Sequence, residues 1–519
     1  MRSKGKSRRA AEPRNRLRTE PRGIRAALVA SLAVATVGSG LAIGGIPGFS
    51  TGSPSAEPPD PYFPAAGSGG YDARRYELAL RYRRAPNRLS GVVTLDANAI
   101  QNLSAFHLDL RGMKVTGVEV DGEPAGFDRD GQDLRIEPAS ALPAGQAFTT
   151  VVRYDGHPRP YRAPYGGTEG WVRTGDGSVA LNEPQGSPSW FPVNDDLTDK
   201  ARYDFELTVP RGIEAVANGD LRDRSRSGRR STFSWHGSEP MASYLATVST
   251  GQFELTHTRT AGVEAWLAVD RRFGQRGRRA LAVMPRVLRL FAERFGAYPF
   301  STTGGVVDRF DLGYALETQT KPTYPGPPGS GLVAHELAHE YFGNSVTPTQ
   351  WRHIWLNEGF ATWAQWLWAQ SRGGQTLSSR FRSLCSAPAG SAFWRPPPGK
   401  PGGPEKLFAG SVYVRGGLTL EALRRWVGNE DFYVTLRRWL ARNQHSNASS
   451  ADFESLAEQV SGEQLDGLFD DWLRQPAKPE ACERGEGRHG VAAAAPNPSA
   501  APPAHAGGSP KLHPRFSIR

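Results

Sequence analysis

Between residues 71 and 255 apolar and polar side chains alternate in short runs, as in 76–82 (YELALRY), 91–96, 148–154 and 203–209, each bounded by Gly, Pro, Asn or Asp. A period of two puts one set of side chains on one face, so these runs predict half-buried strands and 71–255 reads as an all-β domain. The basic stretch 222–230 reads as a solvated hairpin tip. From Gln275 the period lengthens: Leu281, Met284, Leu288 and Phe291 recur every three to four residues, a helix running into Phe295-Gly296. Further helices are predicted around His335 and over 355–368, 418–426, 432–440, 452–460 and 465–473, with a Pro/Gly-rich surface loop at 386–404. The second domain, 256–475, is therefore mostly helical, and the fold class is multidomain α+β. No repeat of solenoid period is evident.

The flanks read differently. Residues 48–70 form a Gly/Pro/Ser linker expected to be disordered, and 476–519 a disordered tail. The 519 residues carry a net charge of +11, which raises the question of a nucleic-acid partner. Ten Lys or Arg lie within residues 1–25 against two Glu, leaving only +3 for the other 494 residues. The basicity is a terminal arm rather than a groove, and no nucleic-acid partner is expected. Behind the arm, 26–46 is an uncharged apolar run closed by Pro47. A basic segment before an apolar one is an export signal, so 1–47 reads as a signal peptide or an uncleaved signal-anchor. The protein is expected to be exported, secreted or anchored to the outer face of the cytoplasmic membrane, with membrane contact only through 26–46. Composition, at 38% hydrophobic and 22% charged, excludes wholesale disorder and a small disulfide scaffold. The only two cysteines, Cys385 and Cys482, make one bridge or none.

Chemistry concentrates in His335-Glu336-Leu337-Ala338-His339. Residues four apart share a helix face, so both imidazoles can reach one ion. Glu336 sits about 100° round the helix, where it can address a water without occupying a coordination place. A catalytic zinc needs a third protein ligand. Nineteen residues past His339, in Trp355-Leu356-Asn357-Glu358-Gly359-Phe360, Glu358 opens a second helix and can complete a His, His, Glu set.

HELAHEYFGN and WLNEGFATW at this spacing resemble the M1 family of zinc aminopeptidases, of the gluzincin group, over roughly residues 71–475. The resemblance implies a saddle-like β domain followed by a thermolysin-like catalytic domain, in a short form without the C-terminal helical domain of most members. It implies one zinc per chain on His335, His339 and Glu358, with Glu336 as general base. Gly313 to Gln319 resembles the family's GxMEN motif, with Glu317 at the carboxylate that binds the substrate α-amine, although Tyr314, Leu316 and Thr318 replace Gly, Met and Asn. Leu181 to Gly186 resembles the β-domain stretch that supplies a second amine contact; Glu183 is assigned to it, with Gln185 as the alternative register. Ser411 to Gly417 resembles the YxKGA element, so Tyr413 is the implied oxyanion donor, with Arg415 replacing Lys.

The activity so implied is hydrolysis of the N-terminal peptide bond of peptides with a free amine. Three rivals stand beside it: a zinc endopeptidase, which would lack the amine anchors; an epoxide hydrolase-like enzyme; and a catalytically inactive binding protein, which would be expected to have lost a ligand or Glu336.

Overall fold

The computed structural model describes residues 60–484. The expected signal or anchor segment 1–47, the first part of the linker and residues 485–519 lie outside the described residues. Among the described residues no helix is long and apolar enough to cross a membrane.

The alternating runs form one twisted eight-stranded sheet. Its order is Asp220–Ser227, Arg230–Met241, Ala201–Pro210, Tyr71–Arg83, Arg88–Ala99, Ala147–Gly156, Lys114–Val120 and Glu123–Pro124. Neighbours are antiparallel except Tyr71–Arg83 with Ala201–Pro210. Tyr76, Leu78 and Leu80 face the core together with Tyr203, Phe205 and Leu207 in the same register, as a period of two requires. The basic run forms the strand Asp220–Ser227 and its turn at the sheet edge, where charge discourages edge-to-edge pairing. A five-stranded sheet (Glu214–Ala217, Val248–Gly251, Ser178–Leu181, Thr168–Arg173 and Tyr161–Arg162) carries the segment that leads into Glu183.

The strand Phe253–Thr260, which spans the expected boundary at 255, pairs with Val263–Asp270, then Thr302–Val307 and Thr323–Tyr324, in a four-stranded sheet. Two helices follow the first hairpin of this sheet, α1 (Gly274–Leu281), which packs on Val263–Asp270, and α2 (Met284–Phe295). Then come α3 (Ser330–His339), α4 (Trp355–Ser371), α5 (Leu377–Cys385), α6 (Gly410–Val427), α7 (Asn429–Arg442) and α8 (Ser450–Ser461). α3 and α4 are buried all round rather than along one stripe, so they form the centre of the domain.

Two segments expected to be disordered are packed where they are described. In the linker, Asp60 accepts the backbone N–H of Trp351 at 2.6 Å and Phe63 packs edge-on against the Trp351 ring. Ser68 exchanges hydrogen bonds with Asn194. These contacts are made by isolated residues across hundreds of positions, so they leave no periodicity. In the tail, Cys482 is disulfide-bonded to Cys385, and a short helix forms over Glu480–Arg484. The surface loop 386–404 carries a fully buried Trp394.

Candidate metal centre and substrate site

α3 delivers His335 and His339 one turn apart, and α4 crosses it with Glu358 in its first turn. All three side chains are buried, and their ligand atoms lie within 4.8 Å of one another. Glu358 Oε2 is 3.2 Å from His335 Nε2 and 3.4 Å from His339 Nε2. Two donors each about 2.0–2.1 Å from one tetrahedral ion stand about 3.4 Å apart, so the two spacings to Glu358 fit zinc.

The outer ring atom of His339 supports the same reading: its Nδ1 is 3.2 Å from the Phe342 carbonyl, which fixes the tautomer that leaves Nε2 toward Glu358. Partners of this kind orient imidazole ligands in metal sites. Burial disfavours a charged Glu358, yet hydrogen bonds from the two imidazoles outweigh it and hold the carboxyl well below its usual range. Burial lowers His335, whereas His339 is raised, against its own burial, by Glu358. A carboxylate that is to bind a metal must be ionised, and the two imidazoles favour that form of Glu358.

Glu336, Glu317 and His339 form a second buried group within 4.8 Å. The turn carrying Glu317 is held from α3. Leu316 bridges back to Thr323 on the edge strand, the Glu340 carboxylate accepts from Thr320 N at 2.8 Å, and Asn344 Nδ2 donates to the Glu317 carbonyl at 2.7 Å. Asn344 reaches that position because Gly343 turns the chain at φ +122°, where a Cβ would also strike the Asn357 side chain at 2.9 Å. The motif residues after His339 thus aim the neighbouring carboxylate. Burial pushes Glu340 up to about 8.

Glu183 is buried, and its charge acts on His339 and on Tyr244. At the alternative position, the Gln185 backbone N–H is taken by Glu169 and its carbonyl by Arg111. Tyr413 is buried on α6, its ring nearly parallel to the His335 imidazole at 6.3 Å. Arg415 turns elsewhere: its guanidinium donates to the carbonyls of Trp394, Asp471, Trp472 and Gln475 and clamps the C-terminal segment. None of the described histidines 107, 157, 236, 257, 353 and 445 joins a three-ligand group.

Sequence reasoning passed over Tyr244. Its hydroxyl donates to Gly343 O, accepts from Asn357 Nδ2 at 3.2 Å and is held well above its usual range by burial and by Glu317, Glu183 and Glu358. No motif surrounds it; only the fold places it among three carboxylates.

Comparison with known proteins agrees with this architecture. Residues 72–245 match the family model described as the peptidase M1 N-terminal domain and 329–472 that of the peptidase family M1 domain, together well over half of the chain. Similar curated proteins include aminopeptidase M1-D of Oryza sativa subsp. japonica, 27% identical over 78% of this chain, and probable aminopeptidase 2 of Sulfurisphaera tokodaii, 24% identical over 72%. The chain spans about half the length of these relatives, 50% of each. Among solved structures, an M1 zinc metallopeptidase from Deinococcus radiodurans superposes with a TM-score of 0.74 at 27% identity, covering 81% of this chain and 99% of that one. A form of that enzyme bound to a Tyr-Ser-Ala substrate gives 0.73 at 26% identity, covering 81% and 98%. With an all-β domain followed by a helical catalytic domain and matches to both family models, this chain belongs to the M1 peptidase family.

Proposed function

We propose that the chain is a zinc-dependent aminopeptidase that removes the N-terminal residue of peptides bearing a free α-amine. The carrying observation is the adjacency of two buried carboxylates, Glu336 and Glu317, to a His, His, Glu set with metal spacing. One zinc per chain is held by His335, His339 and Glu358; the chemistry such an ion supplies when bound is Lewis acidity, which polarises a carbonyl and acidifies a water. Glu336 takes the proton of the attacking water and passes it to the leaving amine. Tyr413 donates its hydroxyl to the oxygen on which charge develops. Glu317, with Glu183, receives the α-ammonium, so that only the first peptide bond reaches Glu336. Peptide substrates are in keeping with the tripeptide bound by the Deinococcus enzyme.

Aminoacyl-arylamides should be cleaved while their N-acetyl forms are not, with activity lost to a chelator and restored by zinc. Equal cleavage of both forms would overturn the exopeptidase reading. Glu336→Gln should keep its zinc and lose turnover by about 10³-fold or more.

Export is proposed on two supports: the basic arm ahead of the uncharged run 26–46, and the Cys385–Cys482 bridge, a bond characteristic of oxidising compartments. Mass analysis of protein recovered outside the cytoplasm distinguishes removal of the first 47 or so residues from an intact anchor; recovery only from the cytoplasm would overturn export.

A further inference from the structure

A cavity of about 1130 Å³ opens at the N-terminal end of α3, with Gly329 and Leu332 in its wall. Leu332 lies one helical turn before His335. Four arginines line the cavity, Arg173, Arg272, Arg276 and Arg309, against one acid, Asp311. Arg272 is engaged by Asp176, Asp270 and Asp308. Among the described residues the other three make no ion pair; Arg276 only overlies the Phe273 ring at 5.7 Å. They come from three separate pieces of the fold: the end of Thr168–Arg173, α1, and the residues just after Thr302–Val307. The first turn of α3 holds no acid, and its N-cap Gly329 makes no side-chain capping bond. The positive end of the helix dipole is therefore open to the same space.

The position along α3 gives this charge a meaning. Glu317, the assigned amine anchor, groups with Glu336 and His339 toward the C-terminal half of α3. The cavity meets the opposite end. From His339 back to Leu332 the helix rises about 10 Å, the span of about three extended residues. A peptide with its amine at Glu317 and its first bond at the His335/His339/Glu358 set, continuing along α3 toward Leu332, would bring its third residue to the arginines.

Resting on the aminopeptidase reading, we propose that this cavity binds a carboxylate on the leaving part of the peptide, so that the enzyme prefers acidic or short free-acid substrates. Two sources share that chemistry: an Asp or Glu side chain near position three, and the C-terminal carboxylate of a tripeptide.

The test uses the full chain and the N-terminal residue whose arylamide it cleaves best, here X. One pair compares X-Ala-Ala with its C-terminal amide; the other compares X-Ala-Asp-amide with X-Ala-Asn-amide. In each pair where the carboxylate reaches the cavity, its kcat/KM should be higher by about tenfold, mainly through KM, a difference of about 1.4 kcal/mol. That preference should shrink with salt and fall toward one in the variant Arg173→Gln/Arg276→Gln/Arg309→Gln. A preference in the first pair alone assigns the terminal carboxylate, and in the second alone the side chain. Equal rates within both pairs, or a preference that survives in the triple variant, would overturn the assignment of the cavity while arylamide hydrolysis still stood. Absence of arylamide hydrolysis in the zinc-loaded wild type would overturn the aminopeptidase reading itself.

Discussion

The distance between Glu358 and Tyr413 is set where α4 crosses α6, and two glycines make that crossing possible. A Cβ at Gly359 would lie 2.9 Å from the Gly416 carbonyl carbon and 3.0 Å from its Cα; one at Gly416 would lie 2.9 Å from the Gly359 Cα. Ordinary carbon contacts begin near 3.5 Å, and both obstacles are backbone, so Gly359→Ala must push the helices apart by about 0.5–1 Å. Overpacking of this kind costs about 1–3 kcal/mol. Glu358 immediately precedes Gly359, and Tyr413 is one turn before Gly416, so the displacement falls between a metal ligand and the assigned oxyanion donor. Misplacement on the 1 Å scale costs about 10²-fold in turnover. Gly359→Ala should therefore lower kcat on an arylamide by about that factor and lower Tm by a few degrees, with KM and zinc content little changed, because His335, His339 and Glu358 sit on α3 and α4 alone. Gly416→Ala should act in the same way, whereas Gly467→Ala, with nothing within 4 Å of its added carbon, should be silent. Wild-type kcat and unfolding in Gly359→Ala would refute the reasoning.

Three other outcomes can be checked. Glu317→Ala should reduce kcat/KM for free-amine substrates by about 10²-fold, the loss expected on removing one partner of a buried charge pair; an unchanged preference for free over blocked amines would remove Glu317 from the amine site. His353 is pushed down to about 4 by burial and by neighbouring Arg352, with Nδ1 2.8 Å from Ser450 Oγ. Its folded pKa lies below the unfolded value, so its contribution is complete above about pH 6.5 and lost as pH falls toward 4, at most about 3 kcal/mol. Urea unfolding of the wild type should weaken over that window more steeply than that of His353→Gln, and identical slopes would count against the assignment. Replacing Cys385 and Cys482 by Ser, which opens a link across 97 residues, should cost about 2–4 kcal/mol on denaturant unfolding; no loss would mean that the bridge does not constrain the chain.

What could be read from the sequence was what a local period or a short motif encodes. The four alternating runs are adjacent strands of one sheet, and the His335 to His339 spacing sets two ligands on one face of α3. The helix predicted over 418–426 begins eight residues earlier, at Gly410, and uses Gly416 to meet α4. Helix α5 was not anticipated; its nine residues carry few apolar positions. The strand Thr302–Val307 is short and buried on both faces, so it shows no alternation. Asp60, Tyr244 and Asn344 owe their importance to single long-range contacts, which leave no pattern along the chain.

The most direct test of the account is the metal content of purified wild type and of a Glu358→Ala variant, measured by elemental analysis alongside arylamide hydrolysis. The account predicts about one zinc per wild-type chain, with both metal and turnover lost together in the variant. Full turnover in protein without a transition metal, or undiminished zinc in Glu358→Ala, would contradict it.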